Sequence, residues 1–115
     1  MIIAVDFDGT LCEDKYPFIG RANEELIRTL RNAEKFGDRV ILWTCRSDKH
    51  LRRAVRWCAA HGLFFDAVNE NLPEVIEKYG GDSRKIFADI YIDDKMQSVS
   101  ALHGNDYGIF EQLAV

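Results

Sequence analysis

The chain has no long apolar run, only two prolines, and three cysteines with no C-x-x-C spacing; positive charge is in deficit. Each scarcity removes a class of protein. A membrane-spanning helix needs about 20 consecutive apolar residues, and no stretch here approaches that, so no membrane role is expected. Cys12, Cys45 and Cys58 are an odd number without a metal-binding spacing, which suits free thiols in a reducing compartment. Cys45, between Thr44 and Arg46, is read as a buried, inert thiol, because no histidine lies where it would activate a nucleophile. Fifteen Lys and Arg stand against nineteen Asp and Glu, a net charge of −4 that argues against broad nucleic-acid affinity. The pair Arg52-Arg53 could still serve a phosphate locally. Pro17 and Pro73 are the only proline interruptions, and no repeat or low-complexity segment is present. The first apolar strand begins at residue 2, so no leader peptide is expected and the protein is read as cytoplasmic. A length of 115 residues fits a single domain spanning 1–115.

What the chain does have is alternation. Residues 2–7 read as a buried strand, apolar on both faces. Residues 11–20 read as a loop. Leu26, Ile27, Leu30, Ala33 and Phe36 recur at helical spacing over 22–36, with Asn23 or a neighbour as cap and Gly37 as stop. Val40–Trp43 is a second buried strand. Ser47 or Asp48 caps a helix that turns Leu51, Val55, Cys58 and Trp57 inward and stops at His61-Gly62. Phe64–Val68 is a third strand, Pro73–Tyr79 a short helix, Ile86–Ile92 contains a fourth strand, and Tyr107–Phe110 is a fifth, at the edge. Trp43 and Trp57 read as core. This order predicts an α/β fold: a three-layer, Rossmann-like parallel sheet of about five strands with helices on both faces.

In such sheets ligands bind beyond the carboxyl ends of the strands. That rule gathers Asp6 and Asp8 from strand one, Thr44 and Arg46 from strand two, and Asp93 and Asp94 from strand four on one rim. Strand alternation alone would put Asp6 and Asp8 on the same face. Two carboxylates about 4 Å apart repel by roughly 4 kcal/mol at an effective dielectric near 20. A hard divalent cation offsets this, and Mg²⁺ prefers one or two carboxylates plus water and a substrate phosphate. No His or Cys joins the cluster, so zinc is not expected. Gly9 and Thr10 add a tight turn and a hydroxyl and are expected, with Arg46, to meet the substrate. A carboxylate can attack phosphorus, and a second carboxyl can protonate the leaving oxygen and later activate water.

Asp6-Phe7-Asp8-Gly9-Thr10, after a hydrophobic strand, resembles the D-x-D-G-T motif of the haloacid dehalogenase-like (HAD) hydrolase superfamily. Thr44 at the end of Val40–Trp43 resembles the second motif, and Asp93-Asp94 after Ile90–Ile92 the acidic fourth. Lys85 lies where the single basic residue of the third motif is expected. The resemblance covers almost the whole chain and is closest to small, cap-less members sharing a similar Lys85–Asp94 segment. It implies Asp6 as nucleophile and Mg²⁺ ligand. Asp8 would be the acid/base, with its carbonyl on the metal and its side chain turned away. Thr44 would bond the transferring phosphoryl group and Lys85 would bridge that group and Asp6. Asp93 and Asp94 would complete the metal site, one of them directly. Read from the residues alone, the lesser alternatives are Thr44 as a helix cap, Lys85 as a solvated charge replaced by Lys95 or Arg84, and Asp94 as a turn residue. Arg46 could be a substrate contact or a surface ion pair.

Relatives often carry a cap domain, but only 33 residues separate Thr10 from Thr44, and one helix and one strand consume most of them. The expected protein is therefore a cap-less Mg²⁺-dependent phosphatase acting on a phosphorylated small molecule or macromolecule end. Its open site would be covered by a large substrate or by a second copy of the chain, with Cys12–Gly20 as the candidate flap. The competing expectations are a phospho-accepting receiver-like domain and an inactive relative. A receiver takes its phosphorylated Asp from the end of strand three, where Asp66 begins the strand instead.

Overall fold

The computed structural model describes residues 1–83 and 86–94. In chain order the elements are β1 (Ile2–Val5), β2 (Cys12–Lys15), β3 (Phe18–Ala22), α1 (Glu24–Lys35), β4 (Arg39–Leu42), α2 (Asp48–Ala60), β5 (Ala67–Val68), α3 (Pro73–Tyr79) and β6 (Ile90–Ile92). β1, β4, β5 and β6 form one sheet in the order β5-β4-β1-β6, with every pairing parallel. The expected fifth strand, Tyr107–Phe110, lies outside the described residues.

The side-chain alternation of the strands builds two layers. Ile3, Val5, Val40, Leu42 and Ile92 face a core completed by Leu26, Ile27, Leu30 and Ala33 of α1 and by Ala54 and Cys58 of α2. Ile2, Ile41 and Ala67 face the other way, against Leu72, Val75 and Ile86 beside α3. Helices thus cover both sheet faces, as a parallel sheet requires. The Asn23 side chain caps α1 by accepting from Leu26 N–H at 3.2 Å. Gly37, at φ +94°, takes the left-handed conformation just past its end.

Several expectations need correction. β1 stops at Val5, two residues short, because the chain turns there: the N–H groups of Thr10 and Leu11 both donate to the Phe7 carbonyl. Residues 11–20 are not a plain loop but carry the antiparallel hairpin β2–β3, with a cis Tyr16–Pro17 bond at its tip. Its first strand, Cys-Glu-Asp-Lys, is exposed after Cys12 and has no apolar alternation to betray it. The third strand is only two residues long, since Phe64 is exposed and Asp66 holds the far edge through Val40 N–H at 2.8 Å. Trp43 is not core: it is exposed and rests against the Tyr91 ring at 5.5 Å. Cys45 is exposed rather than buried. Trp57 is half-buried, edge-on to Phe7 at 5.6 Å.

Candidate functional site

Strand order reverses beside β1: the chain runs outward through β4 and β5, then returns to pair β6 on the other side. Ligand crevices open at such a switch, beyond the carboxyl ends of the strands. Val5 pairs with Ile92, so Asp6 and Asp93 are the first residues past adjacent parallel strands, about 4.8 Å apart by strand spacing. Asp6 N–H donates to the Ile92 carbonyl at 2.9 Å, which fixes that end of the ladder. Thr44 lies two residues past β4 on the same rim, its N–H donating to Asn69 Oδ1 at 2.7 Å. The rim therefore gathers Asp6, Asp8, Thr44, Asp93 and Asp94.

Asp6 is half-buried and accepts from Phe7 N–H at 2.7 Å. Burial pushes its carboxyl above the usual range; the Phe7 bond opposes this, and the negative charges of Asp94, Asp8 and Asp93 reinforce it. The site thus concentrates negative potential on Asp6, the condition under which a cation or a proton binds. The donors are hard oxygens, which suits Mg²⁺. Among the described residues, however, no three His, Cys, Asp or Glu side chains are grouped to hold a metal ion. The Asp8 carboxylate is turned toward a cation of the protein's own.

That turn is made by Arg46. Its Nε–H donates to Asp8 Oδ2 and its Nη2–H to Asp8 Oδ1, each at 2.8 Å, in a two-pronged ion pair. The remaining donors also stay within the protein: Nη2 to the Phe18 carbonyl at 3.0 Å, and Nη1 to those of Pro17 and His50 at 3.4 Å. The Arg46 side chain is 1% exposed, and its guanidinium carbon lies 4.9 Å from the Phe7 ring centre and 5.1 Å from that of Tyr16. The pair raises the guanidinium pKa further, first through the hydrogen bonds to Asp8. Neither expectation for Arg46 matches this geometry. It is not a surface ion pair, and it has no N–H left for a phosphate.

The turn residues are likewise occupied. Gly9 N–H donates to the Cys12 carbonyl at 2.9 Å and Thr10 N–H to that of Phe7 at 3.1 Å, so their amides are not free for substrate. The Thr10 hydroxyl is buried without a partner. Gly9 has φ +82°, and a Cβ there would lie 3.0 Å from Asp94 Cβ, so the glycine both shapes the turn and admits Asp94 beside it. Thr44 Oγ1 accepts from Arg46 N–H at 3.1 Å, a local turn ahead of α2 rather than a helix cap. Lys85 and its substitutes Arg84 and Lys95 lie outside the described residues.

Two polar residues escaped sequence reasoning. Asn71, 2% exposed, donates to Asp82 Oδ1 at 2.8 Å and accepts from Phe87 N–H at 2.6 Å, pinning the approach to β6. Its place after a short strand was the only available signal. Asn69 has φ +54° and orients Thr44, as noted above. Asp89 sits far from the rim, accepting from Ile2 N–H at 2.7 Å at the start of β1. Asp66 also lies at the opposite end of the sheet from the carboxylate cluster, since its N–H donates to Val40 at the beginning of β4.

No protein-family model matches the chain, and no curated protein does. A solved structure from Bacteroides thetaiotaomicron, titled only as that of a conserved protein coded by a locus, matches at 43% identity and a TM-score of 0.74. The match covers 84% of this chain and 78% of that one. Identity at this level over this span is a family relationship, and the chain belongs to the same family as that Bacteroides thetaiotaomicron conserved protein.

Proposed function

We propose that the protein is a cap-less, Mg²⁺-dependent phosphatase of the HAD-like type that hydrolyses a phosphomonoester through an aspartyl-phosphate. The observation that carries the reading is the half-buried Asp6 at the sheet's switch point, under the negative potential of Asp94, Asp8 and Asp93. Asp6, the Asp8 carbonyl, and Asp93 or Asp94 would hold the cation. Bound there, Mg²⁺ would neutralise the carboxylates and offset charge on the transferring phosphoryl group.

The chain's own groups then divide the work. Asp8 first takes a proton from solvent at a lone pair that the Arg46 fork leaves free; an Asp6 oxygen then attacks phosphorus and the ester bond breaks, with the leaving oxygen taking that proton from Asp8. In the second half, Asp8 removes a proton from water, whose oxygen attacks phosphorus and returns Asp6 and inorganic phosphate. A carboxylate offers about four lone-pair positions. The Arg46 fork uses two, so Asp8 keeps the capacity to accept that proton. Thr44 and Lys85 would bond the phosphoryl oxygens. The cytoplasmic setting rests on the odd, free cysteines; among the described residues no helix is long and apolar enough to cross a membrane. A large substrate or a second copy would cover the open rim.

The test is phosphate release from p-nitrophenyl phosphate with Mg²⁺ and with chelator. Turnover should need the ion and vanish in Asp6→Asn while the circular dichroism spectrum persists. Full activity in Asp6→Asn would end the assignment.

A further inference from the structure

The Arg46 guanidinium is the point where three parts of the molecule meet: Asp8 through the fork, the hairpin tip through the Pro17 and Phe18 carbonyls, and α2 through the His50 carbonyl. Among the described residues, the tip's hydrogen bonds to the body both go to Arg46. The Tyr16 ring adds to the tie, covering the guanidinium on one side and meeting the His50 ring edge-on at 5.4 Å. A two-stranded hairpin alone is marginal in water; β2–β3 gains its order from Cys12, Ile19 and Ala22 packed on the core and, at its tip, from this docking.

We infer that Arg46 is a positioning residue that ties closure of the β2–β3 hairpin to the orientation of Asp8. With the tip docked, the two tip carbonyls hold the guanidinium, and its planar fork fixes both Asp8 oxygens in one plane. With the tip released, the guanidinium loses those carbonyl partners and the Tyr16 face, and Asp8 loses its fixed direction. Whatever occupies the rim against the exposed Phe18 then controls whether Asp8 is aimed. The hairpin thereby does part of a lid's work in a protein with little room for one. This rests on the phosphatase reading only for its catalytic consequence.

Two measurements test it. Hydrogen exchange in the full chain without substrate reads the tie itself. Amides of residues 12–22 should exchange at least about tenfold faster in Arg46→Lys, which keeps charge but lacks the fork, and in Asp8→Asn, which weakens it from the other end. Protection in β1 and β4 should stay as in the wild type. Unchanged hairpin exchange in both variants overturns the inference. Rapid-mixing kinetics with p-nitrophenyl phosphate reads the consequence. p-Nitrophenolate leaves without needing a proton, whereas water attack needs an aimed Asp8. Arg46→Lys and Tyr16→Ala should keep a burst near one p-nitrophenol per site and lose about tenfold or more in steady-state kcat, with KM falling in step so that kcat/KM is little changed. A burst and kcat that fall together would mean a merely structural role and overturn the proposal. A wild type with no turnover counts against the phosphatase reading, and the exchange result then decides the tie alone.

Discussion

At the scale of single residues, Asp6 and Arg46 show opposite answers to the same difficulty, a charge withdrawn from water. Arg46 has a partner for each donor, so its charge is held firmly. Asp6 has one N–H and three acidic neighbours, so its charge is disfavoured. The folded protein holds a proton on Asp6 more readily than the unfolded chain, whose value is near 3.8. The resulting stability is present below that pH and lost as pH rises through the folded value. At pH 7.5, without metal, Asp6→Asn should therefore raise Tm by a few degrees, since Asn keeps an oxygen for Phe7 N–H. Adding Mg²⁺ should raise the wild-type Tm by mass action and that of the variant less. A metal-free variant that melts below the wild type would refute the picture of a strained carboxylate. The carboxylates were legible in the sequence because a strand ending in acids needs only the rim rule to be placed. Arg46 was legible as a rim residue but not as the holder of Asp8 and the hairpin, because that role rests on a partner 38 residues away and on backbone carbonyls that no side-chain pattern encodes.

At the scale of elements, legibility followed burial. β1, β4, α1 and α2 carry strong apolar periodicities and were readable to within a residue or two. The β2–β3 hairpin is made largely of exposed and charged residues, and its order comes from docking rather than from its own pattern. The approach to β6 is similar, since Asn71 bonds Asp82, Ser83 and Phe87 while Ile86 alone of the described residues there supplies a buried apolar side chain. Replacing this buried side chain removes its hydrogen bonds to the Asp82 carboxylate and to Phe87 N–H. Asn71→Ala should cost roughly 1–3 kcal/mol, a fall in Tm of at least about 5 °C for a domain of this size. If the phosphatase reading holds, phosphate release should fall no further than lost stability explains, since Asn71 touches none of the rim carboxylates. Thermal melts and turnover measured at a temperature where both proteins are folded would separate the two effects. A Tm within about 1 °C of wild type would mean the loop is held by something else.

At the scale of the whole molecule, the sheet has the carboxylate rim at one end and a structural end opposite, and both carry acids. At the far end Glu34 of α1 is pushed up to about 7, chiefly by burial and secondarily by the Asp66 charge. Asp66 cannot move away, because it caps the start of β4 through Val40 N–H. Unfolded, Glu34 returns to about 4.5, so between 4.5 and about 7 the folded state holds more protons than the unfolded one. Stability from this group is fully present below 4.5 and is lost as pH rises through about 7. Asp6 slopes the same way. The protein should therefore melt higher near pH 5.5 than near pH 8. Glu34→Gln keeps the shape, removes the charge and should flatten that slope, melting above the wild type at pH 8 and close to it at pH 5.5. Because Glu34 lies at the end of the sheet away from the carboxylate rim, phosphate release by the variant should be unchanged. A wild-type Tm that is level or rising from pH 5.5 to pH 8 would show that Glu34 is solvated and ionised throughout. A slope that persists in Glu34→Gln would assign the effect to the rim instead.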